Sequence, residues 1–393
     1  ALYIPPASGT SGVAGSYYAV ASTPGGSVNT TTATVTFVTA PLPPGWAHAV
    51  KSPFQAVDAT TFTKDYYVGC VVNAAGDVYA AAQYNGNMTV YTNGIAENVL
   101  TAPGSSGAAL AKHAANGSPL WAVGLTNNQT GSSYGIAVAA GPGNGACLSA
   151  NCSGTNWLGT NQFVDVGGNS VLLACFDVNG SNVWSKFIGG TNYVYTSYNM
   201  VVSDASGNVT LVGNLTGTVS FGGTNLSAPA GGGFMVQYDS TGVVRWAQTI
   251  PNNISGLAYG GGRLYASLQT AVSGGVTNVS IGSLSILTDR TWAVACLNAT
   301  NGQSLWLRGV GDEYGTHAVG IANDEPIISV AGTNVFLMAN AYGASVQFEN
   351  LSIPLPGGSG QYFARYDTNG NPQAAGVFGS VSTMIWAVAA NAS

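Results

Sequence analysis

The segment GGGFMVQYDSTGVVRWA (231–247) carries the pattern that decides the fold of this chain. An apolar strand comes first, a polar turn follows and ends at Gly242, and a second apolar run contains Trp246. A short polar turn with glycine between two apolar runs is a strong local signal for a β-hairpin. The segment therefore predicts two antiparallel strands joined by a tight turn.

The same pattern recurs along the chain. Related segments occupy 107–122, 170–185, 291–307 and 360–375. The turn glycines are Gly117, Gly180, Gly242, Gly302 and Gly370, at spacings of 63, 62, 60 and 68 residues. Four positions after these glycines lie Trp121, Trp184, Trp246 and Trp306, and in the fifth copy Ala374. Trp46 marks a sixth copy. A residue that recurs at one strand position of a repeat typically packs against the neighbouring repeat, and we predict this role for the five tryptophans.

A second pair of strands lies between these hairpins. It reads NMVVSDASGNVTLVGNLTGTVSFGG at 199–223, with related text at 70–91, 256–270 and 332–350. Four strands in each repeat match the content of one propeller blade, and no stretch sustains a helical apolar period with capping signals. The sequence therefore predicts an all-β, six-bladed propeller with four-stranded blades.

The two ends of the chain are predicted to form the sixth blade together. MIWAVAANAS (384–393) matches the first strand of a blade, and GSYYAVASTPGG (15–26) matches the second. The last blade is thus expected to be closed by N- and C-terminal strands, which removes open sheet edges. The predicted organisation is an extended segment, ALYIPPASGTSGVA (1–14), followed by one propeller domain at 15–393.

These segments resemble the SBBP-type β-propeller repeat of bacterial and archaeal surface proteins. The best copy is DASGNVTLVG (204–213), TVSFGG (218–223) and the hairpin at 231–247. The resemblance implies a propeller fold and a surface location, and it implies no particular reaction. A weaker likeness to quinoprotein propellers is carried by NATNGQSLW (298–306), although the repeat of those proteins is shorter.

Composition limits the classes of function. Charged residues make up 6% of the chain, against roughly 25% in typical soluble proteins, and the net charge is −6. Nine basic residues spread along 393 positions give no stripe for nucleic acid, and no apolar run reaches the length of a membrane helix. We expect a secreted or cell-surface protein with no nucleic-acid partner and no membrane span.

Many Asn-x-Ser/Thr triplets fit a secreted glycoprotein. The candidate N-glycosylation sites are Asn29, Asn87, Asn116, Asn128, Asn151, Asn179, Asn208, Asn214, Asn225, Asn253, Asn278, Asn298, Asn350 and Asn391.

Five cysteines leave at least one unpaired in the chain. Cys147 and Cys152 are the only close pair and form the candidate disulfide. Cys70, Cys175 and Cys296 lie in apolar strand-like runs, where a buried thiol is expected. No cysteine or histidine spacing is typical of zinc or haem, so we predict neither metal nor cofactor.

The polar clusters offer few groups for catalysis. Asp177, Asp204, Asp239 and Asp367 begin Gly-containing turns, where aspartate typically caps its own backbone rather than binding calcium. The densest cluster, at 311–326, includes Asp312, Glu313 and His317 and is expected to form a loop. No nucleophile elbow, metalloprotease helix or phosphate loop is present, so no catalytic residue is assigned. Trp157 is the candidate exposed aromatic residue for sugar stacking.

Two classes of function remain. The first is an extracellular structural glycoprotein that self-associates into a filament or surface layer, with residues 1–14 adding a strand to a neighbouring molecule. The alternative is an adhesin or lectin-like propeller that binds carbohydrate or protein at one rim. A propeller hydrolase with carboxylates at its axis is a weaker third option, because the acidic residues map mostly to turns.

Overall fold

The structure is a computed structural model. It describes residues 15–17, 20–23, 26–29, 33–35, 54–56 and 66–378, apart from 74, 93–94, 117, 129–130, 190–191, 197–199, 271–275, 314–325, 350 and 356. Almost all of the regular structure is β-strand, and the described residues contain one 3-10 turn, Pro142–Asn144. No helix in this described part is both long and apolar enough to cross a membrane.

The chain divides into two compact units, 1–50 and 51–393. The first contains two strand pairs: β1 (Gly15–Tyr17) with β4 (Ala33–Val35), and β2 (Val20–Thr23) with β3 (Gly26–Asn29). This division lies after residue 50, whereas the predicted boundary lies after residue 14. The predicted extended segment, 1–14, lies outside the described residues and stays a prediction.

The described residues of the second unit form five four-stranded antiparallel blades in chain order. A short strand, β5 (Phe54–Ala56), precedes them. Blade 1 consists of β6 (Tyr66–Val72), β7 (Val78–Thr92), β8 (Ile95–His113) and β9 (Pro119–Asn127). The blade 2 segment contains β10 (Ser132–Ala140), β11 (Ala146–Ser153), β12 (Thr155–Leu158), β13 (Asn161–Val164), β14 (Ser170–Phe176) and β15 (Asn182–Ile188).

The other three blades follow the same plan. Blade 3 contains β16 (Tyr193–Tyr195), β17 (Val201–Ser203), β18 (Val209–Ser220), β19 (Asn225–Tyr238) and β20 (Val244–Ile250). Blade 4 contains β21 (Ile254–Gly260), β22 (Arg263–Gln269), β23 (Thr277–Ile281), β24 (Leu284–Thr288), β25 (Arg290–Asn298) and β26 (Ser304–Glu313). Blade 5 contains β27 (Ile327–Ala331), β28 (Asn334–Tyr342), β29 (Ser345–Phe348), β30 (Leu351–Pro354), β31 (Ser359–Asp367) and β32 (Pro372–Phe378).

Each blade is a four-strand meander, and blade 2 runs β10-β11-β14-β15. The first strands of successive blades, β6, β10, β17, β21 and β27, lie next to one another in that order. The predicted all-β propeller fold with four-stranded blades is therefore confirmed. Trp46 and the C-terminal strand at 384–393, both assigned to a sixth blade, lie outside the described residues, so the number six remains a prediction.

Burial explains why the third strand of a blade is nearly all apolar. Every residue of β14 is buried, because neighbouring blades cover both faces of the sheet. A strand buried on both faces reads as an apolar run instead of a strict alternation. The fourth strand is less covered, and two of the first residues of β15, Asn182 and Val183, are exposed.

Four tryptophans connect successive blades. The indole nitrogen of Trp184 donates to the carbonyl oxygen of Ser240, 3.1 Å away, in the last turn of the next blade. The other three indoles reach equivalent carbonyls at 2.9–3.1 Å: Trp121 to Val178, Trp246 to Ala299, and Trp306 to Thr368. The indoles thus reach the turn of the following blade.

The turn glycines provide the surface on which these rings pack. Gly242 has a φ of 84°, and a Cβ atom added there would lie 2.9 Å from the Trp184 ring. Gly180, Gly302 and Gly370 also have positive φ and face Trp121, Trp246 and Trp306. Glycine is required at this position both for backbone conformation and for close approach of the ring.

We expect Gly242→Ala to lower the free energy of unfolding by about 2–3 kcal/mol, because alanine would be strained at positive φ and would displace the Trp184 ring. Gly261 also has positive φ (58°) but has no atom near its Cβ position, so Gly261→Ala isolates the backbone cost. The control variant should lower the free energy of unfolding by about 1 kcal/mol. Urea denaturation of both variants measures the two losses. Equal losses of unfolding free energy for the two variants would contradict the contact between Gly242 and the Trp184 ring.

Candidate functional site

In the acidic turns, the aspartate side chains accept hydrogen bonds from the backbone of the same turn. Asp239 Oδ1 accepts hydrogen bonds from the N–H groups of Thr241 and Val243 at 2.8 and 2.9 Å. The Thr241 hydroxyl and these backbone donors hold the pKa of Asp239 below its usual range. Asp177, Asp204 and Asp367 cap their turns in the same way. The predicted capping role of these aspartates is confirmed.

Three ion pairs join charged side chains among the described residues: Lys112 with Asp77, Arg290 with Asp289, and Arg308 with Glu349. Lys112 Nζ lies 2.9 Å from Asp77 Oδ2 and also donates to the carbonyl of Val178 in blade 2. The described residues contain no group of three or more potential metal ligands. In the predicted polar cluster at 311–326, residues 314–325 lie outside the described part of the chain.

The cysteine pairing differs from the prediction. Cys147 is linked to Cys175, and Cys152 is a buried free cysteine. Cys147 and Cys152 lie in one strand, β11, five positions apart, so their side chains point to opposite faces and cannot bridge. Cys147 instead lies directly opposite Cys175 in the β11–β14 ladder. Cys70 is exposed, contrary to the expectation of a buried thiol, whereas Cys296 is buried.

The candidate glycosylation sites fall into different environments. Exposed asparagines among the described residues include Asn116, Asn128, Asn179, Asn225, Asn253 and Asn278. Asn208, Asn214 and Asn298 are half-buried. Asn151 is fully buried, so this candidate site is not accessible to a glycan in the folded chain. Asn391 lies outside the described residues, as does Asn350, and nothing is described of the side chains of Asn29 and Asn87.

Asn151 serves a structural purpose instead. Its Nδ2 donates to the carbonyl of Thr196 at 2.7 Å, and its Oδ1 accepts from the Thr196 N–H at 2.8 Å. Thr196 precedes β17, the first strand of the next blade. Asn214 holds Ile254 at the start of blade 4 through the same pair of contacts, at longer distances. We call this arrangement the asparagine clamp, and it fixes the chain where it enters the following blade.

Each blade carries a hairpin between its second and third strands, which we call its arm. In blades 1 and 3 the arm continues the two strands themselves, and in blades 2, 4 and 5 it is a separate hairpin. The arm of blade 2 adds β12 to the outer strand of blade 1, pairing Leu158 with Leu125 and Asn156 with Asn127. The arm of blade 5 adds β29 to the outer strand of blade 4, pairing Phe348 with Val310.

Strand addition to an outer edge is thus part of this fold. Trp157, the candidate exposed aromatic residue, lies in β12 and is half-buried there. Within the part of the chain that the structure describes, β15, β20 and β32 are the last strands of their sheets. An edge strand has backbone N–H and C=O groups that can pair with another strand. These three outer edges form the candidate functional site.

Comparisons with known proteins identify no family. No family model matches the chain, and no curated protein matches it. Similar solved structures include BamB from Moraxella catarrhalis, at 11% identity over 80% of this chain and 90% of that one, with a TM-score of 0.29. Quinohemoprotein alcohol dehydrogenase from Comamonas testosteroni matches at 10% identity over 80% of this chain and 62% of its own, with a TM-score of 0.28. The WD40 domain of SCAP from fission yeast matches at 10% identity over 82% and 89%, with a TM-score of 0.21.

We expect non-reducing peptide mapping of protein folded under oxidising conditions to find Cys147 linked to Cys175. Cys175→Ala should lower the free energy of unfolding by about 3 kcal/mol, because the bond closes a long loop in the unfolded chain. Cys152→Ala, which changes a buried but unlinked cysteine, should leave the mapped bond in place. A peptide that links Cys147 to Cys152 would contradict this assignment.

We expect Asn151→Ala to lower the free energy of unfolding by about 2–4 kcal/mol, because two hydrogen bonds are lost and the buried backbone of Thr196 is left without its partner. Asn225→Ala alters an exposed sequon and should change stability by less than about 0.5 kcal/mol. Chemical denaturation measures both. Mass spectrometry that found a glycan on Asn151 in the folded protein would refute the clamp.

Proposed function

We propose that this chain is an extracellular structural protein that self-associates into a filament or surface layer by strand addition. One observation carries the proposal: the fold already adds strands to the outer edges of its own blades, at β9 and at β26. The same kind of edge in blades 2, 3 and 5 ends its sheet within the described residues. A strand from a second molecule would continue these sheets in the same manner.

The proposed donor is the segment 1–14, ALYIPPASGTSGVA. It opens with an apolar run, ALYI (1–4), and its prolines and glycines oppose helix formation. A donor from one molecule and an edge on another make a head-to-tail contact, which repeats without closing unless the rotation completes a ring. Such a contact leads to a filament.

Chemical features of the described residues support an extracellular location. The Cys147–Cys175 bond fits an oxidising environment, and several sequons are exposed, including Asn116, Asn225 and Asn278. The resemblance to the SBBP-type repeat of surface proteins agrees with this proposal. The low charge of the chain suits a surface whose contacts come from backbone pairing and not from ion pairs.

We expect deletion of residues 1–14 to leave a folded monomer and to abolish assembly, as seen by negative-stain electron microscopy. The reason is that the edges would remain while the donor strand is lost. A synthetic peptide of residues 1–14 should then bind the truncated protein in calorimetry, and it should block assembly of the full chain. A scrambled peptide of the same composition serves as the matched control.

The proposal is refuted if the truncated protein assembles as the full chain does. Equal binding of the scrambled peptide would also count against a specific donor strand. Circular dichroism and a thermal melt of the truncated protein separate loss of assembly from loss of folding.

A further inference from the structure

Tyrosines from two blades meet where blade 2 leads into blade 3. Tyr134 lies in β10, and Tyr193 and Tyr195 lie in β16, the short strand that pairs with β18. The rings of Tyr193 and Tyr195 are parallel to within 16°, and their centroids are 6.3 Å apart. Together with Asn169, these residues form what we call the tyrosine cluster.

The cluster is accessible from solvent, and strand pairing brings its members together: Tyr134 lies opposite Asn151 in the β10–β11 ladder, and Asn151 bonds to Thr196, the neighbour of Tyr195. Tyr193 is 45% exposed, while Tyr134 and Tyr195 are half-buried. Burial raises the pKa of Tyr134, a hydrogen bond with the Asn169 side chain opposes the rise, and the nearby Tyr193 and Tyr195 hydroxyls add to it. The parallel rings of Tyr193 and Tyr195 therefore form a partly exposed aromatic surface, with Tyr134 and the Asn169 side chain near it.

The backbone under the cluster is held from several sides. Val194, between the two parallel tyrosines, is fully buried, and its N–H donates to the carbonyl of Asn169 at 2.9 Å. The next residue after β16, Thr196, is held by the Asn151 clamp. A rigid backbone lowers the entropy cost of binding, and tyrosine itself has few rotatable bonds.

We propose that the tyrosine cluster is a binding site for a neutral carbohydrate. Aromatic rings present flat apolar faces that suit the C–H faces of pyranose sugars, and hydroxyl and amide groups suit their hydroxyls. None of the four residues of the cluster carries a charge, which favours a neutral glycan over a charged one. The inference goes beyond the proposed assembly, since a structural layer needs no glycan receptor of its own.

The test uses the full chain on an array of neutral oligosaccharides: cellohexaose, laminarihexaose, mannohexaose and chitohexaose. Binding to a positive probe is then measured by calorimetry for the wild type and for Tyr193→Ala, Tyr195→Ala and Tyr193→Phe. We expect each alanine variant to bind roughly tenfold more weakly, because one ring face is lost, and Tyr193→Phe to lose less. Leu287→Ala is the matched control, because Leu287 is a strongly exposed apolar residue outside the cluster.

The inference is overturned if the wild type binds none of these probes up to millimolar concentration. It is also overturned if Tyr193→Ala binds as the wild type does, or if only acidic polysaccharides such as polygalacturonate bind. Thermal melts of all variants check folding, and electron microscopy of Tyr193→Ala should show unchanged assembly. Loss of glycan binding and loss of assembly are thus measured separately.

Discussion

The packing of one indole on the turn of the next blade is the contact on which the arrangement of blades depends. Trp184 shows what it requires: a ring in the fourth strand, a carbonyl directed at its nitrogen, and a turn residue with no side chain. The turn keeps that shape because Asp239 caps it. The geometry of these junctions therefore depends on a tryptophan in one repeat and a glycine-containing turn in the next, as at Trp184 and Gly242.

A chain with 6% charged residues has few ion pairs with which to specify its contacts. Its blades are instead joined by directional hydrogen bonds at two ends of the sheet. The indole contact acts at the end that carries the acidic turns, and the asparagine clamp acts where the chain enters the next blade. At the junctions of blade 2 with blade 3 and of blade 3 with blade 4, neighbouring blades are thereby fixed at two points, which limits both sliding and rotation.

The strands and the acidic turns could be predicted because they depend on local pattern. Gly242 and Trp246 lie within one hairpin, and Asp239 bonds to residues two and four positions away. The five described blades follow from repeating that hairpin and the strand pair before it. These features can be predicted without knowing which distant residues come into contact.

The features that local pattern could not predict depend on register between distant segments. Cys147 is close to Cys152 in sequence, but the ladder places it opposite Cys175. Asn151 belongs to a glycosylation triplet, and its burial becomes evident only when Thr196 is placed beside it. The recurrence of Asn-x-x-Gly at 151–154 and 214–217 was the available signal for the clamp. Strand addition by the arms and the meeting of Tyr134 with Tyr193 had no comparable signal, because each joins two repeats.

The direction of the indole contacts has a consequence for synthesis of the chain on the ribosome. Each of these four tryptophans bonds to a carbonyl that lies 53 to 62 residues later in sequence. At translation rates of about 5–20 residues per second, a finished blade would wait roughly 3–12 seconds before its ring is covered. During that interval the growing end always displays one uncovered indole, so the nascent chain has a moving apolar site that chaperones could recognise.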